Sequence, residues 1–172
     1  VNRLQIAMPP RHCKSETVAV RYAAWRLEQD PTLRIVIGAY NQRLANKFSR
    51  KIRRILRGRV EFSTECKAAE EWETAAGGGV RAVGVGGGIT GFGADLIIID
   101  DPVKSRKQAN SETYRENTWE WFCDDIYTRL EPGGQIILIQ TRWHEDDLAG
   151  RLLKEMDDGG EKWDVVCLPA LA

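Results

Sequence analysis

A lysine followed by a hydroxyl, Lys14-Ser15, stands where the apolar run Leu4 to Met8 gives way, through Pro9-Pro10-Arg11-His12-Cys13, to a segment with helical periodicity. An ammonium at such a junction reaches the β/γ-phosphates of a nucleotide, a hydroxyl binds Mg²⁺, and the N–H groups of the helix start face the phosphates. Against the pattern G-x-x-x-x-G-K-[ST], the stretch keeps Lys and Ser and has Met8 and Cys13 in the glycine places. Pro10, Arg11, His12, Cys13, Lys14, Ser15 and Glu16 form the candidate nucleotide-binding set. Far downstream, Leu96-Ile97-Ile98-Ile99 ends in Asp100-Asp101. Phosphoryl transfer is mostly positioning and charge neutralisation. Asp100 therefore suits Mg²⁺, with Ser15 as the other metal-site residue, and Asp101 is the carboxylate placed to orient and polarise an attacking water. Read alone, Asp-Asp-Pro is an ordinary strand-end turn; combined with Lys14-Ser15 it favours a nucleotide hydrolase. Arg11 projects from the loop toward the γ-phosphate in cis or toward an acidic neighbour, whereas His12 reads as loop packing. The polar end Gln140-Thr141-Arg142 is either a γ-phosphate sensor or an ordinary strand end.

These residues need elements to bring them together. Leu4–Met8 reads as a buried strand, and Pro9-Pro10 forbids a helix before the loop. From Ser15 to Glu28 apolar positions recur at helical spacing, and Asp30-Pro31 ends the element. Leu33–Ala39, Val80–Val85, Leu96–Ile99 and Gln135–Gln140 read as strands, with continuous apolar centres that fit a parallel sheet covered on both faces. Asn41–Arg57 is a helix whose outer face carries Arg43, Lys47, Arg50, Lys51, Arg53, Arg54 and Arg57. Of these, Arg50, Lys51, Arg53, Arg54 and Arg57 are the candidate DNA or subunit contact, the alternative being a solvated face. Residues 60 to 93 are the least periodic. Gly86-Gly87-Gly88-Ile89-Thr90-Gly91 formally matches G-x-G-x-x-G, but a strand follows it, so the dinucleotide reading fails. This loop either approaches another chain or its nucleotide, or is a plain hairpin. A long helix is expected from Asn110 or Ser111 to about Arg129, then a turn at Glu131–Gly134. A last helix is expected with Glu145, Asp146 and Asp147 in its first turn, where the macrodipole favours acids. Alternating strands and helices give an α/β class with a largely parallel sheet, and the site falls at the carboxyl ends of the strands.

Composition narrows little. Lys+Arg and Asp+Glu balance at 25 each, so only the distribution of charge can point to a partner. The four cysteines, at 13, 66, 123 and 167, lack metal spacing and fit a reducing compartment. No run approaches the roughly 20 apolar residues of a membrane span. The length suits one domain, and both edges of the chain read as cuts.

With Met-Pro-Pro-Arg-His-Cys-Lys-Ser, Ile-Ile-Ile-Asp-Asp-Pro and Gln-Thr-Arg-Trp-His-Glu-Asp-Asp-Leu in this order, the chain resembles the large terminase subunit of tailed bacteriophages, and within it the N-terminal ATPase domain of the DNA-packaging motor. The resemblance implies a P-loop NTPase of the ASCE type, with a central, mostly parallel sheet flanked by helices. It implies ATP and Mg²⁺ as cofactors, with Lys14, Ser15 and Arg11 on phosphate and metal and Asp100 as the Walker B aspartate. Asp101 becomes the catalytic carboxylate, acting with Lys14 and Arg11, and Gln140-Thr141 the coupling element. It implies ATP hydrolysis driving double-stranded DNA into a procapsid, a ring of subunits when working with a monomer in isolation, portal protein and small terminase subunit as partners, and the host cell cytoplasm. On that basis residues 1–172 are a single ATPase domain, cut at both ends and without the family's nuclease domain. The trans-acting arginine finger is unassigned, with Arg81 as a candidate. Two other readings stand beside it: a superfamily 2 helicase-like ATPase, or a nucleotide-dead DNA-binding or scaffold module.

Overall fold

A computed structural model describes residues 2–169. Strand β1 (Arg3–Ala7) leads through the 8–14 loop into a π-helical segment, Ser15–Tyr22, that continues as α1 (Ala23–Gln29). Strand β2 (Arg34–Ala39) and helix α2 (Gln42–Leu56) follow, then β3 (Phe62–Lys67), β4 (Glu71–Thr74), β5 (Gly79–Gly84) and β6 (Ala94–Asp100). The short α3 (Arg106–Ala109) precedes α4 (Glu112–Glu120), which widens into a π-helical stretch, Trp121–Ile126, and ends in a 3₁₀ turn, Tyr127–Arg129. Strand β7 (Leu130–Gln140), helix α5 (Leu148–Asp157) and β8 (Asp164–Cys167) complete the chain.

All eight strands form one sheet, in the order β3-β4-β5-β2-β6-β7-β1-β8. From β5 to β8 every pairing is parallel; β3 and β4 extend one edge antiparallel. Strand alternation sends Ile35, Ile37, Leu96 and Ile98 to one face, under α1 and α2. Val36, Ile97 and Ile99 go to the other, under Trp121, Phe122 and the α5 residues Leu148, Ala149 and Leu152. Burial on both faces is why β2 and β6 read as continuous apolar runs.

The aperiodic stretch from 60 to 93 resolves into three strands and a crossover. Trp72 of β4 is 1% exposed, packs edge-to-face on Phe62 and donates its indole N–H to Ser49 of α2 at 2.9 Å, so the antiparallel edge is sewn to the basic helix. The glycine-rich loop is a crossover and not a hairpin. Strands β5 and β6 flank β2 in parallel, so residues 85–93 cross the sheet, burying Ile89 and Phe92 while Gly87 accepts a hydrogen bond from Trp121 Nε1 at 3.0 Å. At the end of β5, a Cβ on Gly84 would collide with the backbone nitrogen of Gln42, so only glycine lets α2 start this close.

Two further expectations are corrected. Glu131–Gly134 is not a turn between elements but an irregularity within β7, where the register against β6 shifts and Gly133 takes φ +80°. Helix α5 starts after the acidic triplet: Asp147 is its N-cap, accepting from the Gly150 N–H at 2.9 Å, and Glu145 and Asp146 lie in the preceding turn. The short apolar run Val165–Val166 is an edge strand whose side chains are about half exposed. No helix among the described residues is long and apolar enough to cross a membrane.

Candidate functional site

Lys14, Asp100, Asp101 and Thr141 lie at the carboxyl ends of β1, β6 and β7, and the sheet order explains how they meet. Strand β7 is interposed between β1 and β6, so the end of β7, with Thr141, lies between the strand ends that lead to the lysine and to the paired carboxylates. Lys14 Nζ lies 2.6 Å from Asp101 Oδ2, with the lysine side chain only 7% exposed. Ser15 Oγ lies against both oxygens of Asp100, at 2.9 and 2.7 Å. Asp101 Oδ1 accepts the Thr141 N–H at 2.7 Å, and the Asp101 N–H donates to the Ile139 carbonyl at 2.9 Å. Thr141 Oγ1 in turn donates to the Met8 carbonyl at 3.2 Å, and the Met8 N–H donates to the Gln140 carbonyl, also at 3.2 Å. The β7 end is thereby laced to the carboxylate on one side and to the loop on the other.

Electrostatics separate the two aspartates. Asp100 is 1% exposed, and burial, with the Asp101 charge beside it, pushes its carboxyl up to about 7 against the pull of Ser15 and Lys14. A buried carboxylate this reluctant to ionise, with a hydroxyl in contact, is a hard-oxygen donor set suited to a divalent cation, which would favour its charged form. Asp101, a quarter exposed, is the one that a solvent molecule reaches.

Backbone strain marks the same place. Among the described residues the non-glycine positions with positive φ are Arg11 (+65°), Cys13 (+59°) and Asp101 (+41°). Cys13 fills a glycine place of the phosphate-loop pattern, and its left-handed backbone shows why glycine is expected there. Such conformations cost about 1–3 kcal/mol each and cluster where function demands them. Pro10, Arg11, His12 and Cys13 are exposed, and His12 Nδ1 lies 2.9 Å from the Pro10 carbonyl oxygen. Among the described residues no ion pair or hydrogen bond engages the Arg11 guanidinium.

Not every candidate side chain joins this cluster. Glu16 turns its carboxylate to Lys51 (2.8 Å) and Arg21 (3.0 Å), which hold it below the usual carboxylate range, so only its backbone remains for the loop. Arg81, the candidate trans-acting arginine, is paired within the chain with Glu70 and Glu71. Within the basic helix, Lys51 is taken by Glu16, and Arg53 donates to the Lys67 carbonyl at 2.7 Å and covers Phe62. Sequence reasoning named Arg142 and Asp147 separately but missed their ion pair, which at 2.8 Å braces the segment just past Thr141. The available signal was Asp147 itself, an N-cap residue type directly before the apolar-periodic helix.

Residues 6–172 match the family described as terminase large subunit, T4likevirus-type, N-terminal. The chain belongs to the terminase large-subunit family. Its fold is that of solved large terminases: the large terminase from a thermophilic bacteriophage superposes with a TM-score of 0.57 at 11% identity, over 98% of this chain and 40% of that one. The same phage's terminase in complex with ATP-gamma-S gives 0.56 at 11% identity, over 98% of this chain and 39% of that one. Its complex with ADP gives 0.55 at 10% identity, over 98% and 40%. The terminase chain described here thus spans about 40% of the length of these solved relatives. No curated protein matches it in sequence.

Proposed function

We propose that this terminase chain is the ATP-hydrolysing motor domain that drives double-stranded viral DNA into a procapsid. The observation that carries the reading is the convergence of Lys14-Ser15 with Asp100-Asp101, at 2.6 to 2.9 Å, from segments 85 residues apart. Lys14 binds the β/γ-phosphates of ATP, leaving Asp101. Ser15 and Asp100 hold Mg²⁺, which neutralises phosphate charge when bound. Asp101, freed from the lysine but still fixed by the Thr141 N–H, presents its Oδ2 to the attacking water and polarises it. Gln140-Thr141 couples the γ-phosphate site to the loop through the Met8 hydrogen bonds, and exposed Arg11 reaches phosphate charge in cis. The family kinship extends the proposal to a ring of subunits working with a portal protein and a small terminase subunit in the host cell cytoplasm.

The test is steady-state ATP turnover, with and without duplex DNA, for the chain and for Lys14→Ala. The parent is expected to turn over ATP with Mg²⁺, and Lys14→Ala to lose both turnover and nucleotide binding. Wild-type turnover in Lys14→Ala sinks the phosphate-loop assignment. A parent that binds DNA but never hydrolyses ATP is instead a nucleotide-dead DNA-binding module.

A further inference from the structure

We propose that the outer stripe of α2 is a docking track for the phosphate backbone of duplex DNA. It rests on the motor reading for its partner, but the surface itself is argued from the helix. At 100° per residue, Arg43, Lys47, Arg50, Arg54 and Arg57 fall within an arc of about 80°, opposite the buried Ala45, Phe48, Ile52 and Leu56. All five are exposed, and Gln42–Leu56 contains no acidic residue to neutralise them. Lys51 and Arg53 sit on the two shoulders of the stripe, and their internal bonds to Glu16 and the Lys67 carbonyl take them out of it. The track therefore differs from the set that charge alone marks out.

From Arg43 to Arg57 the stripe runs about 21 Å, the axial length of about six base pairs. Four of its five side chains are arginine, whose fork binds phosphate oxygens in pairs. A second copy of the chain is the competing occupant, since exposed acids elsewhere could meet these cations. A protein interface, however, is built around an apolar or aromatic centre, and the exposed large hydrophobics of the described residues all lie off α2. A bare cationic row suits a polyphosphate. The shoulder pair Lys51–Glu16, at 2.8 Å, ties this row to the residue that follows Ser15.

The test is fluorescence anisotropy of the chain with short duplexes of unrelated sequence, titrated between about 50 and 200 mM salt. Five phosphate contacts predict a slope of log Kobs against log[salt] of about −4 to −5, and a roughly 500-fold loss of affinity across that range. Arg50→Ala and Arg54→Ala are each expected to flatten the slope by about 0.9, equally for every duplex. Lys51→Gln and Arg53→Ala are expected to leave the slope unchanged. Thermal melting checks that the exposed-site variants fold. A slope untouched by Arg50→Ala and Arg54→Ala overturns the track, as does absence of duplex binding at the lowest salt. Loss of self-association in those variants, seen by sedimentation with DNA binding intact, assigns the stripe to a second copy instead. Turnover without the DNA effect defeats the track alone; the DNA effect without turnover defeats the hydrolase reading alone.

Discussion

At Cys13 the backbone takes a left-handed conformation, φ +59°, that costs a non-glycine residue about 1–2 kcal/mol. Glycine removes that strain, and its looser unfolded chain takes back about 0.4–1 kcal/mol. Cys13→Gly is therefore expected to be as stable as the parent or up to about 1 kcal/mol more so in urea, and to bind nucleotide at least as tightly. A clear loss of stability would mean that the thiol makes a contact worth more than the strain. Asp100 gives a pH signature. Its carboxyl keeps a proton to about 7 in the folded chain, against an ordinary value of 3.8. The folded state thus binds more protons in that window, and stability falls as pH rises through it. Asp100→Asn removes this loss: in the absence of Mg²⁺ it is expected to match the parent's melting temperature near pH ~4 and exceed it near pH ~8. Equal differences at both pH values would show that the carboxyl is not held protonated. The same variant is expected to lose Mg²⁺-dependent turnover.

The start of helix α5 is set by one residue. Asp147, 4% exposed, caps the Gly150 N–H at 2.9 Å and pairs with Arg142. Asp147→Ala forfeits an N-cap worth about 0.5–2 kcal/mol and strands a guanidinium beside Thr141. The expected result is a drop of about 2 kcal/mol in unfolding free energy from urea titration, with reduced turnover because the brace on the β7 end is gone. Unchanged stability would place the hold on α5 in Leu148, Ala149 and Leu152 alone. Helix α2 is held differently. Gln42 bonds the Ala82 carbonyl and the Gly84 N–H of β5, and Ser49 takes the Trp72 indole. That rigid seat keeps a fully cationic outer face from being self-defeating.

For the whole molecule, the interposed β7 and the pairing of Arg81 have a joint consequence. The site holds a lysine, with Arg11 exposed in the adjoining loop, while Arg81 is fixed by Glu70 and Glu71. If a neighbouring subunit completes the charge neutralisation, specific ATPase activity is expected to rise with protein concentration before levelling off. Activity per subunit that stays constant across dilution would assign the whole site to one chain. The fold makes both outcomes readable, because the strand-end rim carrying Lys14, Asp101 and Thr141 is formed within a single chain.

Some of this was settled by local chemistry. Buried parallel strands are largely apolar, so β2, β6 and the inner part of β7 stood out; amphipathic stripes did the same for α1 and α2. Lys14-Ser15 and Asp100-Asp101 stood out as candidates because phosphate and Mg²⁺ chemistry admits few residue types. What the tertiary structure decided was everything that depends on a partner distant in sequence. The edge strands β3 and β8 have weak periodicity, because each is buried on little of its surface. The crossover of residues 85–93 looked like a hairpin because glycine spacing does not reveal which strand lies beneath. Nor could charge alone separate Lys51 and Arg53 from Arg50 and Arg54: adjacent cations differ only in which internal acceptor each reaches, and Glu16 and the Lys67 carbonyl come within reach only when helix, loop and sheet have packed.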